Sequence, residues 1–232
     1  MEKVVIISGG SSGLGFELAK KIIHRDTKVV ILGRNELKLE NASKFLNSIV
    51  PKSAIHFACD VANEDKVKEL YLKLLSDYQI THLFNCAGTG KFGKAEDVTQ
   101  DMIDEVFAGN LKGMILLSSY LLRNTSSNDG AMIVNIMSTA ALLGRAEESV
   151  YCAAKWGARG YTEALKAYTK GTNYKVIAIY PGGMNTAFWK DSGSNPDVSK
   201  FMNAEEVANK IVNSCFDVDT SLITDITINR SK

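Results

Sequence analysis

The sequence predicts a single α/β domain of 232 residues in which one parallel sheet carries helices on both faces. Two observations predict this class. Short apolar, β-branched segments alternate with helical ones from end to end, and the first turn between them is rich in glycine. Strands covered on both faces read as continuous apolar runs. Alternation with helices implies right-handed crossovers and a doubly wound sheet, and the length suits one domain over residues 1–232.

The elements follow one another without a repeat or a linker. Val4 to Ser8 is β-rich and opens the chain, and Pro181 with Gly182 stops the sixth strand. Seven strands are predicted, at residues 4–8, 29–32, 55–59, 82–85, 132–137, 176–180 and 222–228. Apolar residues three and four positions apart predict helices at about 13–25, 42–49, 67–78, 99–122, 150–168 and 204–215. The stretch 191–199, with its Ser, Gly, Asn and Pro, predicts a mobile loop.

Composition and charge argue against several function classes. The chain is 45% hydrophobic and 23% charged, as ordinary globular proteins are, and its formal net charge is +1. No basic cluster marks a nucleic-acid surface, and the short apolar runs predict neither a membrane-spanning helix nor a secretory leader. The four cysteines and three histidines are scattered. We therefore expect buried thiols in a reducing cytoplasm, with no disulfide framework and no metal site.

The first turn has the composition of a phosphate-binding loop. It reads Ser8-Gly9-Gly10-Ser11-Ser12-Gly13-Leu14-Gly15, with four glycines in seven positions between a strand and a helix. Glycine lets the backbone turn tightly and lets a pyrophosphate approach its N–H groups, and the helix N-terminus supplies partial positive charge. A turn without any ligand is the alternative, which the placement after the first strand disfavours.

The spacing of these glycines, Gly-x-x-x-Gly-x-Gly, resembles the short-chain dehydrogenase/reductase family. The family's turn begins with Thr, which Ser8 replaces with the hydroxyl kept. Asn85-Cys86-Ala87-Gly88 resembles the family's Asn-Asn-Ala-Gly, and the turn from Pro181 to Thr186 resembles its Pro-Gly-x-x-x-Thr. The resemblance covers essentially the whole chain and implies a Rossmann fold that binds NADP(H). The cofactor-binding residues that it implies are Gly9, Ser11, Ser12, Gly13, Leu14, Gly15, Arg34, Asp60, Val61, Asn85, Ala87, Gly88, Tyr151, Lys155, Pro181, Gly182 and Thr186.

The end of the second strand indicates which dinucleotide binds. An acid there would hold the ribose 2′-hydroxyl of NAD, whereas an arginine accommodates the 2′-phosphate of NADP. Gly33 stands where NAD-preferring family members carry aspartate, and Arg34 follows with its planar donor fork. Glu36 is a rival acid, which we expect to face solvent at the start of the next helix. NADP is the prediction. A solvated loop arginine is the alternative for Arg34, and a simple turn acid is the alternative for Asp60.

Four residues form the predicted catalytic group. Tyr151 and Lys155 lie four positions apart on a predicted helix and so share one face. Ser138 ends the preceding strand, and Asn110 lies in the helix before that. A nearby ammonium favours the phenolate, so we expect Lys155 to lower the pKa of Tyr151 and make it a general acid and base. By resemblance, Ser138 holds the carbonyl oxygen, Lys155 the nicotinamide ribose, and Asn110 a water linked to Lys155.

The predicted activity is NADPH-dependent reduction of a ketone, aldehyde or diketone to an alcohol, or the reverse. The alternatives are a 3-oxoacyl-carrier-protein-type reductase, for which Arg123, Arg145 and Arg159 would meet the acidic carrier, and a non-catalytic NADP(H)-binding sensor. The substrate is a small molecule whose identity the sequence does not specify. By resemblance, a short lid with Phe188 and Trp189 covers it, and Phe92, Leu142 and Leu143 either complete the pocket or belong to the core.

The family resemblance also implies a homodimer or homotetramer, and a monomer is the alternative. Small residues on one predicted helix would permit close packing of its copies. These residues are Ala153, Ala154, Gly157 and Ala158.

Overall fold

The computed structural model describes residues 1–217 and 221–231, and its centre is a seven-stranded parallel sheet with the order β3-β2-β1-β4-β5-β6-β7. The strands are β1 (Glu2–Ser8), β2 (Lys28–Gly33), β3 (Ala54–Ala58), β4 (Tyr78–Asn85), β5 (Met132–Ile136), β6 (Lys175–Pro181) and β7 (Asp225–Ile228). The order reverses direction between β1 and β4, because the chain first builds outward through β2 and β3 and then returns to the other side of β1. Such a switch point is where open α/β sheets bind ligands. The doubly wound fold predicted from the sequence is confirmed.

Helices cover both faces of the sheet. They are α1 (Gly13–Ile22), α2 (Glu36–Ile49), α3 (Glu64–Leu75), α4 (Gln100–Phe107), α5 (Gly113–Asn124), α6 (Ser149–Tyr168) and α7 (Ala204–Phe216). Val5 and Ile7 of β1 pack with α1, α2 and α7, whereas Val4 and Ile6 pack with α3, α5 and α6. This division follows from the alternation of side chains along a strand. Each face therefore has its own apolar core, and all four of these side chains are fully buried.

The long helix predicted at 99–122 is interrupted. The helix α4 ends at Phe107, a π-helical turn runs from Ala108 to Lys112, and α5 begins at Gly113. The Asn110 side chain donates to the carbonyl of Val106 at 2.8 Å, one turn back. Side-chain bonds of this kind compete with the helical backbone pattern, and π-helical turns occur often at functional sites. The apolar periodicity continues through the interruption, which is why it predicted one helix.

Several predicted bounds also shift. The first helix ends at Ile22 rather than 25, and β4 begins at Tyr78, where a helix was predicted to end. The last strand begins at Asp225 rather than 222. Within the described part of the chain, no helix is long and apolar enough to cross a bilayer. The four cysteines are free thiols, and no three His, Cys, Asp or Glu side chains among the described residues come together as a metal site.

The small residues of α6 do not form one outward stripe. Ala154 and Ala158 are fully buried in the chain's own core, because residues four apart share a helix face. A methyl group on Gly157 would lie 2.9 Å from Leu111, so this glycine packs within the chain. Ala153 is exposed. The expected contact of Ala154 and Ala158 with another subunit is therefore wrong, whereas Gly157 is half-buried and its role stays a prediction.

Candidate active site

A cleft of about 720 Å³ opens at the carboxyl ends of the strands, on both sides of the switch point. It brings together most of the residues that the sequence analysis singled out. The predicted residues that line it are Gly9, Ser11, Ser12, Gly13, Leu14, Gly15, Arg34, Ala87, Gly88, Phe92, Asn110, Ser138, Tyr151, Lys155, Pro181, Gly182, Thr186, Phe188 and Trp189. Asp60, Val61 and Asn85 are not among the residues that line it.

The glycine turn forms one end of this cleft. Gly9 has a φ of 69°, in the left-handed region, and a methyl group there would lie 3.0 Å from the backbone of Ala87. The Ser8 hydroxyl accepts bonds from the backbone N–H groups of Cys86 (3.0 Å) and Ala87 (3.1 Å). The hydroxyl that replaces the family's threonine therefore ties the end of β1 to the end of β4.

The start of α1 is open to an anion. Its first residue, Gly13, lines the cleft, and its N-cap residue, Ser12, makes no side-chain bond to the helix. No acidic side chain lies in the first turn. The N–H groups of a helix start and its macrodipole both favour negative charge. The turn and the helix start together form a site with the chemistry that a pyrophosphate needs.

Two basic side chains stand beside the glycine turn. Arg34 and Lys38 are exposed and line the cleft. Glu36, the rival acid, is exposed and lies 3.1 Å from His56 Nε2 rather than in the cleft. Lys38 was not predicted. Its position four residues after Arg34, on a helix that begins at Glu36, is the signal that could have revealed it.

Tyr151, Ser138 and Lys155 meet in the middle of the cleft. Tyr151 is 8% exposed, and Ser138 lies near enough to its phenol to affect the pKa of that group. Lys155 is 4% exposed, its Nζ donates to the carbonyl of Ile136 at 3.2 Å, and it lies 5.6 Å from the centre of the Tyr151 ring. The predicted shared helix face is present, with both side chains directed to the end of β5.

The electrostatics differ from the expectation for the tyrosine. Burial raises the pKa of Tyr151 above its usual value of 10, and the nearby Ser138 hydroxyl and the charge of Arg145 oppose that rise only in part. Burial also lowers the pKa of Lys155 to about 8. Loss of water disfavours the charged form of both groups, so the phenol is neutral and the amine is still mostly protonated at pH 7. The expected lowering of the tyrosine pKa is therefore wrong for the protein alone.

Asn110 lies at the back of the cleft, in the π-helical turn. Its Nδ2 donates to the carbonyls of Thr89 (2.7 Å) and Val106 (2.8 Å). Its Oδ1 is buried without a protein partner among the described residues. A methyl group on Gly88 would lie 2.5 Å from this oxygen and 3.6 Å from Lys155 Nζ. An orphaned buried acceptor beside an ammonium is a polar site that a water or a ligand hydroxyl can complete.

The remaining predicted residues have visible structural contacts. Asp60 accepts a bond from the N–H of Ala62 at 3.0 Å, and Asn63, not Asp60, caps the next helix. Asn85 donates to Asn135 at 2.8 Å and to Ser118 at 3.1 Å, which joins β4, β5 and α5. The cofactor roles expected for Asp60, Val61 and Asn85 stay predictions.

Aromatic rings enclose the substrate end of the cleft. The ring of Phe92 lies 5.5 Å from Tyr151 and 6.0 Å from Phe188, and Trp189 lies 5.1 Å from Phe201. Phe201 also lines the cleft and was not predicted, because it follows the stretch 191–199 that was predicted as a mobile loop. Leu142 and Leu143 do not line it.

Part of the stretch predicted as a mobile loop is anchored near these rings. Ser192 is fully buried and its carbonyl accepts from the N–H of Phe92 at 2.6 Å. Its hydroxyl donates to the carbonyl of Trp189 at 2.9 Å. The start of this stretch is therefore held against the substrate end of the cleft.

The family is shown by comparison with known proteins. The model of the short chain dehydrogenase family matches residues 3–197. The chain belongs to the short-chain dehydrogenase/reductase family. A 3-oxoacyl-[acyl-carrier-protein] reductase of Homo sapiens is 29% identical over 219 residues, which cover 91% of this chain and 90% of that protein. A short-chain dehydrogenase/reductase from Vibrio parahaemolyticus is 35% identical, with a TM-score of 0.86 over 98% of this chain and 96% of that one.

Proteins similar to this chain in fold or sequence are named or were solved with both kinds of dinucleotide. An alcohol dehydrogenase from Thermococcus sibiricus, solved with 5-hydroxy-NADP, matches the fold with a TM-score of 0.89 at 18% identity, over 100% of this chain and 97% of that one. The 15-hydroxyprostaglandin dehydrogenase [NAD(+)] of Homo sapiens is 25% identical over 86% of this chain and 75% of that protein. The chain is thus an oxidoreductase of a family that uses nicotinamide dinucleotides.

Proposed function

We propose that this protein reduces a carbonyl group of a small molecule to an alcohol with NADPH, or catalyses the reverse reaction. One observation carries the proposal: Tyr151, Ser138 and Lys155 meet in a cleft whose other end holds a glycine turn and Arg34. A phenol, a hydroxyl and an ammonium in one water-poor site are suited to moving a proton to or from an oxygen. The proposal includes a cytoplasmic location and a homodimer or homotetramer.

The cleft residues fit a dinucleotide phosphate. The open start of α1 suits the pyrophosphate, and Arg34 with Lys38 suits the 2′-phosphate, since two cations without a carboxylate partner within 4.0 Å among the described residues face the cleft there. Near Lys155, the unpartnered Oδ1 of Asn110 is a candidate acceptor for a water in the lysine's hydrogen-bond network. A bound nicotinamide would supply or accept the hydride.

Tyr151 is the proton donor in the direction of reduction. Its raised pKa keeps the phenol protonated at neutral pH, so a proton is available for the carbonyl oxygen as negative charge develops there. Ser138 donates a second hydrogen bond to the same oxygen and holds it in line. Lys155 stabilises the tyrosinate that forms, because its ammonium lies close to the ring and has lost most of its water.

The variant Tyr151→Phe tests this assignment. It keeps the ring and its packing but removes the transferable proton, so we expect turnover with NADPH to fall by about 10²–10⁴-fold. NADPH binding, measured by calorimetry, should stay within about threefold of the original. Tyr168→Phe is the matched control, since Tyr168 lies on the same helix and is 77% exposed. A screen of ketones, aldehydes and diketones, followed by NADPH absorbance, supplies the substrate.

Two outcomes would contradict the proposal. Turnover by Tyr151→Phe close to that of the original chain would exclude the phenol as proton donor. NADPH binding without consumption across the whole screen would favour the non-catalytic sensor.

A 3-oxoacyl-carrier-protein-type reductase remains the second candidate. Arg145 lines the cleft, whereas Arg159 does not and donates to the carbonyl of Ala141 in the segment after Ser138. Arg123 does not line the cleft and lies 3.8 Å from Glu64. The human relative named above has this activity in its name. Comparing a 3-oxoacyl group on an acyl carrier protein with the same group on a short thiol separates the two candidates.

A further inference from the structure

An arginine stands at the substrate end of the cleft without an acidic partner. Arg145 lines the cleft, and its Nη2 donates to the Thr139 hydroxyl at 2.9 Å. Thr139 is buried and directly follows Ser138. No carboxylate in residues 1–217 or 221–231 comes within 4.0 Å of this guanidinium. Its remaining donors are therefore available to a ligand in the cleft, close to the hydroxyl that would hold the reacting oxygen.

The turn that carries Arg145 contains a residue with an unfavourable backbone conformation. Arg145 to Glu148 forms a tight turn, in which Glu147 has a φ of 61° although it is not glycine. A non-glycine residue with a positive φ is strained, and neighbouring contacts are needed to keep it in that conformation. Such residues are often found at functional sites. Here the Glu147 carbonyl accepts a bond from the N–H of Gly93 at 2.8 Å. The turn is thereby joined to the segment that carries Phe92.

Two cations line this end of the cleft, and they differ in their contacts: Arg230 lies over the ring of Phe201 and donates to the carbonyl of Lys200, whereas Arg145 lies beside the proposed proton donor. Glu148 lines the cleft and is half-buried, but it forms no ion pair within 4.0 Å among the described residues. Lys91 is paired with Glu105 at 3.3 Å. Arg145 is close enough to Tyr151 for its charge to act on the phenol. A single small substrate could therefore place its anionic group at Arg145 and its carbonyl group at Tyr151.

We propose that Arg145 determines substrate specificity by binding a carboxylate, so that the substrate is an oxo acid. The oxo group of this substrate contacts Tyr151 and Ser138, and the apolar part of the substrate packs against Phe92 and Phe188. The reaction converts an oxo acid, NADPH and one proton to the hydroxy acid and NADP⁺: the hydride goes to the carbonyl carbon and the proton to its oxygen. This inference rests on the proposed function.

Acid and ester pairs test the inference. The probes are phenyl-substituted oxo acids with the carbonyl at position 2, 3 or 4, each beside its methyl ester. For at least one pair we expect the acid to exceed the ester in kcat/KM by about tenfold or more, because a hydrogen bond to a charged group is stronger than one to a neutral ester. Arg145→Gln should bring the acid-to-ester ratio of kcat/KM to about one, and the ratio is the readout because an effect of the arginine on Tyr151 changes acid and ester turnover alike. Arg159→Gln is the matched control and should keep the preference.

Binding supplies a readout that does not depend on turnover. Calorimetry on the protein loaded with NADP⁺ compares 4-phenylbutanoate with 4-phenylbutanamide, neither of which can be reduced at a ketone. The carboxylate should bind at least tenfold more tightly to the original chain, and Arg145→Gln should remove the difference. Glu148→Gln should tighten carboxylate binding, because it removes a like charge.

The failures of the two proposals are distinguishable. Esters reduced as well as acids, in a reaction that still depends on Tyr151, would overturn the role of Arg145 and leave carbonyl reduction standing. An acid preference that survives Arg145→Gln would do the same. No consumption of NADPH with any acid, ester or ketone would instead overturn the proposed function itself.

Discussion

At the scale of single residues, the cofactor end of the cleft depends on charge. Arg34 and Lys38 project beside the glycine turn, and Gly33 leaves no acid to meet a ribose hydroxyl. Bonds from a guanidinium to a phosphate are charge-assisted and bidentate, so they discriminate more strongly than neutral bonds do. The preference between the two dinucleotides should therefore be separable from catalysis.

Arg34→Asp should shift the cofactor preference toward NADH. The ratio of kcat/KM for NADPH to that for NADH should fall by about ten- to a hundredfold, because the variant loses a bond to phosphate and gains a like charge. Parallel kinetics with the two cofactors measure the ratio. Arg123→Asp makes the same charge change outside the cleft and should leave the ratio unchanged. An equal change in both variants would exclude Arg34 as the residue that recognises the phosphate.

The residue types of the chemistry could be predicted from the sequence, whereas some neighbours could not. Tyr151, Lys155 and Ser138 are marked by their spacing and by their place after a strand, and the structure brings them together. Phe201 reaches the cleft from beyond the loop that follows Trp189, and its edge-to-face contact with Trp189 exists only after folding. The spacing of residues also does not reveal how deeply a side chain is buried, which is why the predicted direction of the Tyr151 pKa shift was wrong.

At the scale of elements, the π-helical turn places Asn110 at the back of the cleft. Alanine at Asn110 would leave the carbonyls of Thr89 and Val106 without their donor, so we expect a loss of about 1–3 kcal/mol in the free energy of unfolding. Asn124→Ala is the matched control, since Asn124 makes the same one-turn-back bond, to Tyr120, at an exposed position. Urea unfolding of both variants measures the difference. Equal losses would show that the buried position of Asn110 adds nothing.

The interruption of the helix illustrates what periodicity omits. Apolar residues continue at helical spacing from α4 into α5, although Val106 of α4 packs against α6 whereas Leu117 and Leu121 of α5 pack against the sheet. The π-helical turn at Ala108–Lys112 contains one extra residue, which rotates α5 relative to α4. This rotation leaves no mark in the pattern of apolar and polar residues. Existence and type of the elements are therefore predictable here, whereas a local change of helix type depends on the tertiary bonds of Asn110.

At the scale of the whole molecule, the buried Lys155 links stability to pH. Its pKa is about 8 in the folded chain, whereas an unfolded lysine titrates near 10.4. Between these values the unfolded chain holds a proton that the folded chain has released. The free energy of unfolding therefore rises with pH in this window, and below about pH 8 the contribution is constant.

Lys155→Met provides the reference for this effect. We expect the stability of the original chain relative to the variant to rise from pH 8 to pH 10, with a slope of at most about 1.4 kcal/mol per pH unit. Urea titrations of both proteins, without cofactor, measure the difference. A difference that is flat or falls over this range would contradict the desolvation of the amine.

The architecture of the whole chain was the easiest part to predict. Alternation of strands and helices is enough to predict a parallel sheet with both faces covered. The alternation does not predict on which side of β1 each later strand is added. The order β3-β2-β1-β4-β5-β6-β7 is therefore known only from the structure.

The hydrogen bonds around Phe92 have a consequence for protein engineering. One backbone bond joins Gly93 to the turn that carries Arg145, and another joins Phe92 to Ser192 in the segment after Trp189. Three stretches that are far apart along the chain thus brace one another. A transplant of substrate preference into a homologous scaffold should consequently carry all three stretches as a cassette, because any one grafted alone would lack its supports.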